Sequence, residues 1–256
     1  NSNTGDIGIM RIIHLSDIHL ENNGVPIWET DTMCHLNKAI NIIKSLANVD
    51  VIVVSGDLSN DGSRWTYEYI DEIFETTGIP TICCPGNHDS ISMMYDEYRP
   101  KYYQINDKVR IDGFKFLMLN SVIPDDEDPT TNKSRGLLTN DKLDFVKNEI
   151  KDGTPTIIVL HHPPLEPGGW LNRKLLDNRD EFVELISEYS NVKLVLYGHI
   201  HYPTQNDANG IKFSSAPAIG FAFDKDLPKY QIAKGHEGLS LIDITESNIT
   251  IKTIHL

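Results

Sequence analysis

Short apolar runs alternate along this chain with longer segments in which apolar residues recur every three or four positions. The apolar runs lie at residues 11–15, 49–54, 79–84, 156–160 and 192–196. The segments with the longer spacing lie at residues 32–47, 64–77, 139–150 and 181–189. Short apolar runs are typical of buried strands, and the three-to-four spacing is typical of amphipathic helices. The pattern therefore predicts an α/β protein.

Other segments add antiparallel strands to this plan. Residues 109–120 are interrupted by Asp112-Gly113, a dipeptide that favours a tight hairpin turn. Residues 211–256 predict short strands separated by Asn/Gly turns, with a closing hairpin near the carboxyl end. Residues 90–98 predict a short helix on the surface. We therefore expect parallel and antiparallel strands in the same molecule.

Length and composition favour a globular protein of ordinary size. The 256 residues can bury a sizeable core, and 39% hydrophobic with 23% charged residues is a normal balance. We expect one domain over residues 10–256, preceded at 1–9 by a polar leader or disordered segment. No apolar run approaches the roughly 20 residues that cross a bilayer, and residues 1–8 lack a signal core. We therefore expect a cytoplasmic protein.

The net charge of −14 limits the partners of this chain. A strongly acidic protein repels long nucleic acids and anionic membranes over long distances, so neither is an expected partner. A small phosphate-bearing substrate would need positive charge close to its binding site. The sequence leaves the oligomeric state open, with a homodimer as one option.

The three cysteines do not form a metal or disulfide motif. Cys34, Cys83 and Cys84 are odd in number and have no Cys-x-x-Cys spacing. Cys83 and Cys84 are adjacent on a predicted strand, so their side chains should point to opposite faces. We expect all three to be reduced, buried thiols.

Five of the predicted strands end in a polar loop that contains side chains able to bind a metal. These side chains are Asp17 and His19, Asp57, Asn87, His161, and His199 with His201. Any one loop has a simpler explanation, such as a turn whose polar groups satisfy their own backbone. Their shared position at strand ends favours a site. Oxygen and imidazole ligands without thiolate suit manganese, iron or zinc ions rather than a structural zinc cage.

Asp17 and His19 are an example of how spacing supports this site. They are two residues apart, so in an extended backbone both side chains face the same way and could bind one ion. An Asp-x-His pair also occurs in ordinary exposed loops, and that alternative stays open for the pair taken alone.

In chain order these loops form the pattern Asp-x-His, Gly-Asp, Gly-Asn-His-Asp, His and Gly-His-x-His, from Asp17 to His201. In this pattern the chain resembles the calcineurin-like metallophosphoesterase family. Its length and loop sequences are most similar to the class III cyclic nucleotide phosphodiesterases and glycerophosphodiesterases. The resemblance implies a four-layer αββα sandwich of two mixed β-sheets flanked by helices, and a phosphoric ester hydrolase with two metal ions.

The resemblance also implies a role for each loop residue. Asp57 would bridge two ions, with manganese and iron favoured over zinc. The first ion would be completed by Asp17, His19 and His201, and the second by Asn87, His161 and His199. A hydroxide shared by the ions would attack phosphorus in line.

Two residues of the Gly-Asn-His-Asp loop remain outside the expected ligand set. The resemblance places His88 beside the leaving-group oxygen, as the catalytic proton donor or charge stabiliser. Asp89 is the second expected catalytic residue and would orient His88. Capping of the helix at 90–98 is the other interpretation of Asp89.

The remaining histidines and aromatic residues have simpler expected roles. His14, His236 and His255 have no partner at metal spacing, and His35 lies off the apolar face of its helix. His162 is adjacent to a candidate ligand and could support it, with a solvent-facing position as the favoured alternative. Four aromatic residues follow the motif loops and could either pack in the core or line a nucleotide base: Trp170, Tyr202, Phe221 and Phe223.

The expected substrate is a small phosphodiester, with a 3',5'-cyclic nucleotide favoured by the resemblance. A phosphomonoesterase or a glycerophosphodiesterase of broad specificity would use the same ligands and stays an alternative. A non-catalytic protein-binding scaffold is a remote one, since every motif position is occupied. Specificity should lie in the loops at 122–135, 163–173 and 202–223.

Overall fold

Two β-sheets pack face to face in the computed structural model, which describes residues 8–123, 134–245 and 247–256. The strands are β1 (Met10–Leu15), β2 (Val51–Ser55), β3 (Thr81–Cys84), β4 (Lys108–Ile111), β5 (Phe114–Met118), β6 (Thr156–Val159), β7 (Val192–Tyr197), β8 (Thr204–Ala208), β9 (Ile211–Ser215), β10 (Gly238–Ile244) and β11 (Ile249–His255). The helices are α1 (Thr32–Ser45), α2 (Arg64–Glu75), α3 (Asn140–Ile150) and α4 (Arg179–Ser187).

The first sheet has the order β11-β10-β1-β2-β3, with β1, β2 and β3 parallel and β10 antiparallel to both of its neighbours. Its register brings the carboxyl ends of the parallel strands level, because Leu15 lies opposite Val54 and Ser55 opposite Cys84. The three loops that follow these strands therefore start side by side.

The second sheet has the order β4-β5-β6-β7-β9-β8, with antiparallel strands at its two edges. The central strands β5, β6, β7 and β9 are parallel. Val159 lies opposite Leu196, so β6 and β7 also end at the same level. The loops after these two strands therefore also begin together.

The apolar strands are buried on both faces, which explains their continuous hydrophobic pattern. In β2, Val51 and Val53 point into the layer between the sheets, whereas Ile52 and Val54 point toward the helices. Each such side chain contributes roughly 1.5–3 kcal/mol through burial.

The helices cover the outer face of each sheet. Leu36 of α1 and Phe74 of α2 pack on the first sheet, and Val146 of α3 and Phe182 of α4 pack on the second. The layers are therefore helix, sheet, sheet and helix, which confirms the expected αββα sandwich of two mixed sheets. Among the described residues, no helix combines the length and apolar character of a membrane span.

Local details differ from the sequence-based expectations to different degrees. Strand β8 was not expected, because its polar sequence Thr-Gln-Asn-Asp-Ala lies at an exposed sheet edge and has no apolar alternation. The surface helix expected at 90–98 is present as a short π-helical turn over Met93–Glu97, in which only Met94 is buried. Cys34 is exposed on α1, whereas Cys83 and Cys84 are buried on opposite faces of β3 as expected.

Parts of two expectations concern segments outside the described residues. These are residues 1–7 of the expected leader and residues 124–133 of the loop at 122–135, which is expected to contribute to specificity. The single domain over 10–256 stays a prediction.

Candidate metal centre

The side chains at five strand ends meet at one edge of the sandwich. The loops after β1, β2 and β3 belong to the first sheet and those after β6 and β7 to the second. The structure brings together all seven side chains that the sequence indicated as ligands. Six of them form two groups, Asp17, His19, Asp57 and His201, and Asp57, His161 and His199, with ligand atoms within 4.8 Å of one another.

The first group lies between the loops after β1, β2 and β7. The Nε2 atoms of His19 and His201 are 3.1 Å apart. Asp17 Oδ1 lies 3.3 Å from His201 Nε2, and Asp57 Oδ2 lies 3.4 Å from His19 Nε2. Four potential ligand atoms therefore converge from three loops.

The second group shares Asp57 with the first. Asp57 Oδ2 is 3.3 Å from His161 Nε2, which is 3.1 Å from His199 Nδ1. The Asn87 amide oxygen lies 3.2 Å from the same His161 nitrogen, so Asn87 extends this group. A carboxylate with two oxygens lies where the two groups meet.

The four imidazoles are held so that each directs its inner nitrogen into the centre. Each donates its outer N–H to an oxygen, and the pairs are His161 Nδ1 to Ser55 O, His201 Nδ1 to Phe221 O, His199 Nε2 to Ser134 O and His19 Nδ1 to Asn60 Oδ1. Because carbonyl and amide oxygens can only accept, the outer nitrogen of each ring carries a proton, and in a neutral ring the inner nitrogen is then an acceptor. The inner atoms are then mostly acceptors, an arrangement suited to metal cations.

The Asn60 amide is itself oriented by a carboxylate. Its Nδ2 donates to Glu21 Oε2 at 2.7 Å, which turns its oxygen toward His19. This contact between Glu21, Asn60 and His19 has no counterpart in the sequence motifs, because it joins two loops that are distant in sequence.

The electrostatics of the centre favour one added positive charge. Burial lowers the pKa of His19 to about 3 and holds that of His199 well below its usual value. Burial also opposes charge on His161, yet the Asp57 and Asp17 carboxylates raise its pKa to about 9. Both buried carboxyl groups keep depressed pKa values because the nearby histidines outweigh their burial. The pocket thus attracts a cation.

Five of the seven side chains extend from residues with left-handed backbone, which is uncommon outside glycine. Their φ values are 54° for Asp17, 49° for His19, 52° for Asp57, 72° for His199 and 54° for His201. Each such residue costs on the order of 1–2 kcal/mol. Asp17 and His19 therefore meet through turns, and the expectation that they share one side of an extended backbone is wrong.

The motif glycines permit close approach of the loops. A Cβ atom on Gly86 would overlap the Asp57 carboxylate, and one on Gly198 would overlap the Ser16 hydroxyl. Both positions therefore require glycine for space.

His88 lies at the mouth of the centre. Its backbone N–H donates to Asp57 Oδ1 at 2.8 Å, and its Nδ1 is 3.3 Å from Asn60 O. The ring is exposed and lies edge-on to the His19 ring, with centroids 4.8 Å apart. The imidazole can therefore contact both solvent and a bound substrate.

Asp89 makes neither of the contacts expected from the sequence. Its carboxylate accepts backbone N–H groups from Leu58, Ser59 and Gly86 at 2.9–3.2 Å, and the Tyr67 hydroxyl at 3.1 Å. These bonds join the loop after β2 to the loop after β3, behind Asp57. Burial and the Asp57 charge raise the Asp89 pKa to about 6. A positioning role fits this geometry better than the expected catalytic one.

Two further histidines were assigned from the sequence to simple roles. His162 is fully buried, which excludes the favoured solvent-facing position and fits the alternative beside a ligand, with Nδ1 2.8 Å from Ser121 Oγ and its ring 4.7 Å from that of His199. His161 and His162, which follow β6, are both fully buried, so the His162 ring packs behind the candidate ligands. His14 is buried within β1 and pairs with Ser55 Oγ at 2.8 Å.

The aromatic residues near the centre form one continuous cluster. Phe221 and Phe223 are buried against the His201 ring, and Trp170 lies 5.3 Å from Phe223. Tyr202 packs instead on the apolar core between the second sheet and helices α3 and α4. Trp28 also belongs to this cluster, with its ring 5.0 Å from Phe221, and it was not among the residues expected at the site. The sequence signal for it is a tryptophan in the same loop as the Asp-x-His motif, between β1 and α1.

Lys174 was also missed. Among residues 8–123, 134–245 and 247–256, its ammonium has no hydrogen-bond or ion-pair partner, and it lies 5.6 Å from the centre of the Tyr230 ring. Burial lowers its pKa, and its charge in turn contributes to the low pKa of His199. A positive group therefore lies within electrostatic range of the second ligand group.

A sandwich with oxygen and imidazole ligands gathered at its strand ends defines a metal-dependent hydrolase of phosphoric esters. A sequence model described as calcineurin-like phosphoesterase matches residues 10–203. The chain belongs to this family, which confirms the resemblance inferred from the motifs.

Individual relatives cover most of the chain. A 3',5'-cyclic-nucleotide phosphodiesterase of Nostoc is 28% identical over 240 residues, which is 91% of this chain and 87% of the relative. A 3',5'-cyclic adenosine monophosphate phosphodiesterase of Haemophilus influenzae is 26% identical over 96% of this chain and 89% of its own. A dimetal phosphatase from Danio rerio has the same fold, with a TM-score of 0.73, 11% identity and coverage of 97% and 96%.

Replacement of Asp89 by alanine tests its positioning role. Asp89→Ala should lower the free energy of unfolding by at least about 2 kcal/mol, because three buried N–H groups lose their acceptor. Urea unfolding measures this change. The exposed Asp96→Ala on the following turn is the control and should stay within about 0.5 kcal/mol of the parent. A change that small for Asp89→Ala would contradict the role.

Proposed function

We propose that this chain is a binuclear metal phosphodiesterase that hydrolyses 3',5'-cyclic nucleotides. The observation that carries the proposal is the position of Asp57, whose carboxylate belongs to both groups of ligand atoms. The relatives named as cyclic nucleotide phosphodiesterases support the substrate class.

The proposed ligands divide between the ions as the two groups divide in space. Asp57 bridges, and the first ion is held by Asp17, His19 and His201, the second by Asn87, His161 and His199. Asn87 is neutral, as are the imidazoles when they bind a metal. Two carboxylates do not cancel the charge of two divalent ions, so the centre keeps a net positive charge. That charge attracts an anionic phosphate into a protein whose net charge is −14.

The donor set suits manganese or iron, with zinc as a further option. When bound, such ions would activate water as the nucleophile and neutralise phosphoryl oxygens. The chain itself then has to orient the diester, stabilise its remaining charge and deliver a proton to the departing oxygen.

His88 is the proposed proton donor. Its backbone N–H is bonded to Asp57, so the residue is tied to the proposed bridging ligand while its ring stays exposed. Asn60 O, 3.3 Å from Nδ1, can accept a hydrogen bond from Nδ1–H. The proton donor is then the imidazolium form of His88, which gives its Nε2 proton to the leaving-group oxygen and keeps its Nδ1 proton. Such help typically contributes ~10²- to 10⁴-fold to the rate.

Lys174 is the proposed contact for a phosphoryl oxygen. It approaches from the segment between β6 and β7, and its ammonium has no anionic partner in the described part of the chain. A half-buried ammonium gains most when an anion replaces the water it has lost. A substrate phosphate beside the second ligand group supplies that anion.

A substrate panel tests the proposed activity. With manganese, kcat/KM should be highest for cyclic AMP or cyclic GMP and lower for 2',3'-cyclic nucleotides, glycerophosphodiesters and nucleoside monophosphates. Chelation should abolish hydrolysis and added manganese should restore it. A preference for monophosphates or glycerophosphodiesters would replace the proposed substrate class. Activity that survives chelation would contradict the metal requirement.

Metal content tests the bridging role in the same preparations. Elemental analysis should find two ions per chain for the parent and for the control Asp61→Asn, an exposed aspartate near the site. Asp57→Asn should bind fewer ions, because an amide cannot bridge as a carboxylate does. Two tightly bound ions in Asp57→Asn would exclude the bridging assignment.

Removal of the His88 imidazole should affect substrates according to their leaving group. His88→Ala should lose ~10²- to 10⁴-fold in kcat on cyclic AMP, whose alkoxide needs a proton, and much less on bis(4-nitrophenyl) phosphate. Steady-state kinetics on both substrates measures the difference. The exposed His236→Ala serves as the control. Equal losses on the two substrates would point to substrate positioning in place of proton donation.

Removal of the Lys174 charge should weaken substrate engagement. Lys174→Met should lower kcat/KM for diesters by about 10- to 100-fold, since a charge-assisted hydrogen bond is lost. Arg173→Met removes an exposed positive charge one residue away and should change kcat/KM less than threefold. Similar effects of the two variants would show that general charge, rather than a specific contact, is responsible.

A further inference from the structure

A stack of rings leads outward from the candidate metal centre. The ring centroids of His19 and Phe221 are 4.9 Å apart at 31°, and those of Phe221 and Trp28 are 5.0 Å apart at 33°. His19 and Phe221 are buried, whereas Trp28 is 53% exposed. Trp28 is therefore the outermost ring of a stack that begins at a candidate metal ligand.

The backbone holds Trp28 in a tight, strained turn. Ile27 and Thr30 exchange both backbone hydrogen bonds, at 2.9 and 2.7 Å, around a two-residue loop. The loop residues Trp28 and Glu29 have φ values of 47° and 60°, the left-handed pair of a type I′ turn. Asn-Gly or Gly-Gly would form this turn with less strain, and each left-handed residue of another type costs on the order of 1–2 kcal/mol.

Core packing does not account for a tryptophan at this position. About half of the side chain is in solvent, so burial offsets the strained turn only in part. Left-handed residues other than glycine are common at functional sites, where the surrounding structure maintains the strain. The turn lies in the same connection between β1 and α1 as Asp17 and His19, so its position is coupled to that of the candidate ligands.

Other aromatic rings form a wall beside Trp28. Tyr230 is 46% exposed, also has a left-handed backbone with φ 64°, and lies 6.4 Å from Trp28 in an edge-on arrangement. Phe223 lies 6.2 Å from both rings, and Trp170 lies 5.2 Å from Tyr230. The Lys174 ammonium faces the Tyr230 ring. The aromatic wall therefore has the positive charge of Lys174 at one end. A ligand with an aromatic part and a phosphate could contact the rings with the first and the ammonium with the second.

We infer that Trp28 is the stacking platform for the nucleobase of the substrate, with Tyr230 as the adjacent wall. The inference rests on the proposed phosphodiesterase function. Phosphate at the metal centre leaves the sugar and base to extend toward solvent, and the ring stack from His19 to Trp28 lies along such a path. Stacking recognises the flat face of a base, so the platform accepts several bases and favours the large purines.

A pair of matched substrates tests the platform in catalysis. Cyclic AMP and ribose 3',5'-cyclic phosphate without a base share the same phosphorus and leaving groups. Trp28→Ala should raise KM for cyclic AMP by about 5- to 150-fold, the effect of losing one stacked base. The increase for the baseless substrate should be at least fivefold smaller. Trp28→Phe should recover much of the lost affinity for cyclic AMP.

The control removes a tryptophan that also stacks on another ring. Trp65 lies 5.3 Å from Tyr69, is partly buried, and packs against the first core with α2. Trp65→Ala should leave KM for both substrates unchanged within twofold. Equal increases for the two substrates in Trp28→Ala would overturn the platform and assign Trp28 to support of Phe221.

Fluorescence tests the platform independently of turnover. The chain has three tryptophans, so a Trp65→Phe, Trp170→Phe variant reports from Trp28 alone. AMP should quench this emission in the presence of manganese, and ribose 5-phosphate should not. If the parent hydrolyses bis(4-nitrophenyl) phosphate but not cyclic AMP, the proposed substrate fails while this measurement still decides the platform. No difference between AMP and ribose 5-phosphate would overturn it.

Discussion

The Asp57 carboxylate connects the two halves of this sandwich. One oxygen accepts the His88 N–H, and the other lies within 3.4 Å of imidazoles that extend from both sheets. The loop that carries Asp57 is joined by Asp89 to the next loop, and Gly86 leaves the space for that contact. A negative group buried so deeply is stable only with positive partners, which is why the surrounding residues suit the binding of metal cations.

Order around this carboxylate comes from the outer contacts of the ligands. Each imidazole uses its second nitrogen to donate to an oxygen, and for His19 that acceptor is Asn60, itself held by Glu21. These bonds select one tautomer and one ring orientation before any metal arrives. Five of the candidate ligands have a left-handed backbone, which makes the conformation of these loops unfavourable on its own. The unfavourable conformation of the loops is offset by two sheets whose inner and outer faces are packed with apolar side chains.

Local and global electrostatics differ in sign in this protein. The chain is acidic overall, yet the candidate centre attracts cations and Lys174 carries a positive charge beside it. Both lie where a phosphate would bind. The long-range field disfavours polyanions, whereas a small anion that reaches the centre gains from contacts at close distance. The aromatic rings beside the centre add an apolar surface, so charge and stacking are available side by side.

The sequence by itself determined the alternation of strands and helices, the metal-capable residue at each of five strand ends, and through their order the family. These features are local, since hydrophobic period and motif spacing are properties of neighbouring residues. Only the tertiary structure decided that Asp89 joins two loops, that His162 is buried, that Asp17 and His19 meet through left-handed turns, and that Trp28 and Lys174 lie near the centre. Each of these depends on contacts between segments far apart in sequence, whose relative positions are set by how the two sheets pack.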